Sequence, residues 1–147
     1  MEQQRLYDIA VCFRRAIQEA KYNRAFFDSK DRMNYFPRGC CDDSADLFGY
    51  YLQEEHSTFS KQGNGIYRDR NPNNTTNHAF IILEDGTIID LTADQFAFFS
   101  DCPDGVYVGP EISFYSNLDR MPNYDHYDIS FDKRLWHDYQ AIKKYLL

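Results

Sequence analysis

The chain has 147 residues, 43% of them hydrophobic and 17% aromatic, which suffices for one bulky core and predicts a single domain over residues 1–147. A net charge of −7, with sixteen Lys and Arg scattered among twenty-three acids, argues against a nucleic-acid partner. No apolar run approaches the ~18 residues of a membrane span and no ordinary export signal opens the chain; with four cysteines, two of them adjacent, a reducing cytoplasmic setting is expected rather than a disulfide framework or a membrane.

Leu6, Ile9, Ala10, Phe13, Ala16, Ile17 and Ala20 recur at three- and four-residue spacing and predict a helix over about residues 4–23. Residues 28–39 are polar and broken by Pro37 and Gly39. They read as a loop feeding a second helix that starts at Cys41 or Asp42, with Ala45, Phe48, Tyr51 and Leu52 on one face. From Glu54 onward the chain turns to Ser, Thr, Asn, Gly and Lys, so residues 57–77 are expected to form a mobile loop beside the cleft, with one short edge strand at Ile66-Tyr67. Residues 79–83 and 87–91 are β-rich and meet across Asp85-Gly86, a hairpin signal, and a third strand is expected at 106–108. Beyond an aromatic, proline-punctuated loop, Leu135, Trp136, Tyr139, Ile142 and Leu146 repeat with helical spacing behind an Asp132 cap. Helices first and a meander after them predict an α+β fold.

Cys41, His78 and Asp90 occur in an order that supplies a nucleophile, a base and an orienter. Backbone N–H groups at a helix start favour a thiolate. Asp42 and Asp43 oppose that effect and Arg38 partly offsets them, so activation has to lean on an imidazolium at His78. His78 and Asp90 cooperate only from one face of the hairpin. A two-residue turn would pair Glu84 with Thr87 and separate them. A three-residue loop, Glu84-Asp85-Gly86 with a left-handed Gly86, pairs Leu83 with Thr87 and sets Asp90 opposite Phe80, on the face of His78. The triad therefore predicts the longer loop. Helical phase favours Cys41 over Cys40, because Ala45, Phe48 and Leu52 share the face of Cys41. An oxyanion site needs the Cys41 N–H and a second donor, for which Asn34, Tyr35 and Gln95 are the candidates. Blander readings stand beside these: the paired cysteines as small buried hydrophobes, and His56, His126 and His137 as surface residues without an acid partner. No C-x-x-C or H-x-x-x-H spacing occurs, so neither a metal nor a cofactor is expected.

The pattern Gly39-x-Cys41-x-x-x-Ala45-x-Leu47-Phe48, then Asn77-His78-Ala79-Phe80, then Ile88-Ile89-Asp90-Leu91-Thr92-Ala93-Asp94-Gln95-Phe96 resembles the papain-like and transglutaminase-like cysteine proteins. It is especially similar to small uncharacterised bacterial members with a Cys-Gly-Asp-Ala-Ser segment and a terminal Asp-x-Thr-x-Asp-Gln-Phe, over roughly residues 37–96. The resemblance implies a papain-like fold, with N-terminal helices packed on an antiparallel sheet and a C-terminal helix. It also implies roles for Cys41 as nucleophile, His78 as base and Asp90 as orienter in acyl transfer on an amide of a protein or peptide, whether as peptidase, amidase, deamidase or transglutaminase. The chain departs from the pattern with Asp42 in place of glycine and Phe80 in place of tryptophan. The alternative is a catalytically silent domain of this fold serving as a protein-binding, immunity or adaptor module, for which the aromatic, acidic stretch 96–127 speaks.

Overall fold

The first helix, α1 (Gln3–Tyr22), buries Leu6, Ala10, Phe13, Ala16, Ile17 and Ala20, the stripe its spacing predicts. It packs on the last helix, α4 (Lys133–Lys143), whose start is capped as expected: the Asp132 carboxylate accepts from the Leu135 backbone amide at 2.9 Å. The computed structural model describes residues 1–68, 75–96 and 102–146. Between α1 and the sheet, α2 (Cys41–His56) is buried along every residue from 43 to 49, so it is a central helix rather than a one-faced one.

Strands β1 (Ser60–Arg68), β2 (Thr75–Leu83), β3 (Ile88–Asp90), β4 (Tyr107–Gly109) and β5 (Asp119–Tyr124) form one antiparallel sheet in the order β4-β3-β2-β1-β5. A four-residue α3 (Ser113–Ser116) precedes β5, and 3-10 turns lie at Arg32–Tyr35, Ala93–Phe96 and Ile129–Phe131. Among the described residues the protein is thus α+β, with four helices and five antiparallel strands. Alternation along the strands gives the sheet two dry faces. Ile81 and Ile89 join the cluster built by the helices. Phe80 and Ile88 join a second cluster with Phe96, Phe114, Tyr115 and Leu118. No helix of the described residues is long and apolar enough to cross a membrane.

The hairpin adopts the three-residue loop. Leu83 N donates to Thr87 O at 2.9 Å, Gly86 has φ +90°, and Ile81 pairs with Ile89. The segment read as a mobile loop is different: residues 60–68 are β1, which pairs with β2 on one side and β5 on the other, and β2 begins at Thr75. Residues 69–74 of that segment lie outside the described residues. Gly63 and Gly65 serve contact rather than flexibility, since a Cβ at Gly63 would overlap the Phe80 ring and one at Gly65 would come within 2.7 Å of Leu118 Cβ. The proline-punctuated stretch likewise contains β5. Pro122 is accommodated there because β5 is an edge strand whose pairing shifts register between Gln62 and Asn64.

Candidate active site

His78 and Asp90 project from the same face and meet with Nε2 2.6 Å from Asp90 Oδ2, both side chains fully buried. Four further contacts hold the pair. The Tyr115 hydroxyl donates to Oδ2 at 2.8 Å, and Thr92 donates to Oδ1 through its backbone amide at 3.0 Å and its hydroxyl at 3.5 Å. The Phe96 ring stands edge-on to the imidazole at 4.9 Å between centroids. Burial alone lowers the basicity of the ring. The charge and hydrogen bond of Asp90, with a smaller contribution from Cys41, outweigh it and hold His78 at about 9, well above its ordinary 6.5. His78 is therefore an imidazolium at neutral pH. Tyr115 is the residue that sequence reasoning missed; it lies in a stretch without periodicity, and only its contact with Asp90 distinguishes it. The same surroundings, burial first and the Asp90 charge second, raise the Tyr115 hydroxyl and keep it a donor.

The sulfur approaches from the side of the sheet. The register carries β3 only as far as Asp90, level with Phe80, so beyond it β2 has no strand on that edge. The start of α2 fills the gap. Cys41 is the first residue of the helix, and its thiol donates to the carbonyl of Asn77, the residue before His78, at 3.8 Å. Asp90 engages Nε2, which leaves Nδ1 for other partners. Cys41 is half-buried, at the mouth of a crevice walled by Ala45, Ala79, Phe80 and Leu91 that is too narrow for water. Cys40 lies just before the helix with no exposed surface, and burial pushes its thiol up to about 12.

Of the three candidate second donors, Gln95 is at the site: its Nε2 is 2.9 Å from His78 Nδ1. An amide nitrogen facing Nδ1 requires that nitrogen to be unprotonated, whereas His78 is charged at neutral pH. The two are reconciled by a 180° turn of the amide, which leaves its oxygen to accept from Nδ1–H. Gln95 is held in place through its neighbour, because Arg14 on α1 grips both Asp94 oxygens, at 2.9 and 2.6 Å, and the Leu91 carbonyl at 2.7 Å. Asn34 donates to the Asp28 carbonyl at 2.8 Å, and Tyr35 is 66% exposed; neither is brought to the His78 ring. The acids beside Cys41 are answered by arginines that the sequence did not single out: Asp43 accepts from Arg32 at 2.9 Å and from Arg134 at 3.0 Å. Comparison of the chain with protein-family models, with curated proteins and with solved structures finds no match.

Proposed function

We propose that the protein is a papain-like cysteine enzyme catalysing acyl transfer from an amide of a protein or peptide, with Cys41 as nucleophile, His78 as acid and base, and Asp90 as orienter. One observation carries this reading: a buried, charged histidine, locked by a carboxylate through Nε2, directly follows the residue whose carbonyl accepts from a thiol at a helix start. The imidazolium supplies the counter-charge a thiolate needs. The sulfur attacks the amide carbonyl, forming a C–S bond. Nδ1–H then passes its proton to the departing amine as the C–N bond breaks, and Asp90 keeps Nε2–H in place throughout. The resulting thioester is released to water or to a second amine, with His78 taking the proton. The Cys41 backbone N–H and the Gln95 amide, turned back to present its N–H groups, face the developing oxyanion.

A screen of peptide and glutamine-amide libraries, reading ammonia release and amine incorporation, tests the proposal. Turnover by the native chain, lower by at least about 10³-fold in Cys41→Ala, is the expected result; turnover that survives Cys41→Ala contradicts it. A second reading, a silent binding module, is favoured by exposed apolar side chains near the C-terminal end, where Phe131 is 86%, Tyr127 52% and Met121 45% exposed. It predicts no turnover and a Cys41 thiol no more reactive than the others.

A further inference from the structure

His126 does not stand alone on the surface, as its sequence surroundings imply. Its Nδ1 lies 2.9 Å from Asp46 Oδ1 and its Nε2 lies 2.8 Å from Ser60 Oγ, with side-chain exposures of 14% for His126 and 11% for Asp46. A carboxylate only accepts, so Nδ1 carries a proton; in the neutral ring Nε2 then presents its lone pair and the Ser60 hydroxyl donates to it. That is the polarity of a serine nucleophile bonded to its base, with the base oriented by an acid.

The arrangement is supported from behind. Gln62 on β1 donates to the same Asp46 oxygen at 3.0 Å, and Gly49 on α2 leaves the space in which the imidazole lies, since a Cβ there would overlap the ring. Each member of the pair lines a cavity of its own. One of about 440 Å³ reaches His126 and is bounded by Tyr50, Gln53 and Tyr127; the other, about 340 Å³, reaches Ser60 and is bounded by the apolar Phe59, Ile82 and Leu83. The Ser60–His126 bond thus links one residue that lines each space.

We infer that Ser60, His126 and Asp46 form a second nucleophilic site, separate from Cys41, that takes small carboxylic esters with the acyl chain on the Phe59 side and the alcohol on the Tyr127 side. Ser60 Oγ bonds to the ester carbonyl carbon while its proton passes to His126 Nε2. The C–O bond to the alcohol breaks, and that proton leaves with the alkoxide as free alcohol. Water then attacks the acyl-serine, gives a proton to His126 and, as the ester to Ser60 breaks, His126 returns it to Oγ and the carboxylic acid departs.

A fluorophosphonate probe, followed by peptide mass spectrometry on the Cys41→Ala chain so that the thiol takes no part, is the direct test. Ser60 should be labelled in the folded chain and not in the urea-unfolded chain. His126→Gln, which preserves a hydrogen-bonding side chain but removes the base, should slow labelling by about 100-fold or more, and Asp46→Asn should slow it as well. Both variants are checked for native melting, and the comparison of folded with unfolded native-sequence Ser60 needs neither. Labelling of Ser60 no faster than that of other serines, or unchanged by His126→Gln in a folded chain, overturns the inference. A failure here leaves the Cys41 proposal standing, because the amide-library screen reads a different nucleophile.

Discussion

At Asp90 every strong acceptor position is used, and the partners differ in what their loss should do. Tyr115→Phe removes one donor from a buried carboxylate, so stability should fall by about 1 kcal/mol, a shift in Tm of roughly 2–4 °C for a domain of this size, while turnover falls within about 10-fold. Asp90→Asn is the sharper change. It invites the wrong tautomer at His78 and should lower turnover by about 10³- to 10⁴-fold. Near-normal kinetics in Asp90→Asn would remove Asp90 from the mechanism. Cys40→Ser should leave thiol chemistry intact, since that sulfur is sealed beneath the helix start. The residues of this centre were legible in the sequence as far as type and order reach. Tyr115, Thr92 and Arg14 were not, because each acts through a contact between segments far apart in the chain, and no local pattern marks it.

Among the elements, those with a strong internal signal stand where the sequence sets them: the α1 stripe, the Asp132 cap and the hairpin loop, the last because only one loop length lets Asp90 share the face of His78. β1 carried such a signal only at Ile66-Tyr67. Apart from Ile66-Tyr67, its side chains are polar or absent, and its strand character comes from pairing on both edges and from two neighbours, Phe80 and Leu118, laid over its glycines. The difference is measurable. In a mobile loop Gly63→Ala would be neutral or stabilising by about 0.4–1 kcal/mol; against the Phe80 ring it should destabilise by about 1–3 kcal/mol in urea unfolding. Phe80 packs beside His78, with centroids 5.8 Å apart, so the same substitution should also slow the Cys41 chemistry.

Across the whole molecule, His78 and Asp138 are buried groups that retain protons the unfolded chain gives up. His78 sits at about 9 against its ordinary 6.5, so its contribution to stability is complete below 6.5 and is lost as pH rises through 9. Asp138 on α4 is held well above the usual carboxylate range, by burial first and then by the neighbouring Asp31 carboxylate. It therefore keeps its proton in the folded chain, and its stabilising effect also shrinks as pH rises above 3.8. Both changes have one sign. Thermal melts should show the protein less stable at pH 9.5 than at pH 6, and a stability that rises over that interval would mean these groups are neutral or exposed. The Asp31 cluster is also joined to α2, because Arg134 bonds Asp31 at 2.8 Å and Asp43, two residues past Cys41, at 3.0 Å.

The reactivity of Cys41 decides whether the Cys41, His78 and Asp90 geometry is chemically alive. Alkylation of the native chain by iodoacetamide, followed cysteine by cysteine with mass spectrometry near neutral pH, carries its own control in the exposed Cys12. Cys41 should react at least about 10-fold faster than Cys12 despite being less exposed, and His78→Gln should bring it down to the level of Cys12 or below. A Cys41 that reacts no faster than Cys12 in the native chain, or that keeps its advantage without His78, would contradict a thiolate held by the buried imidazolium.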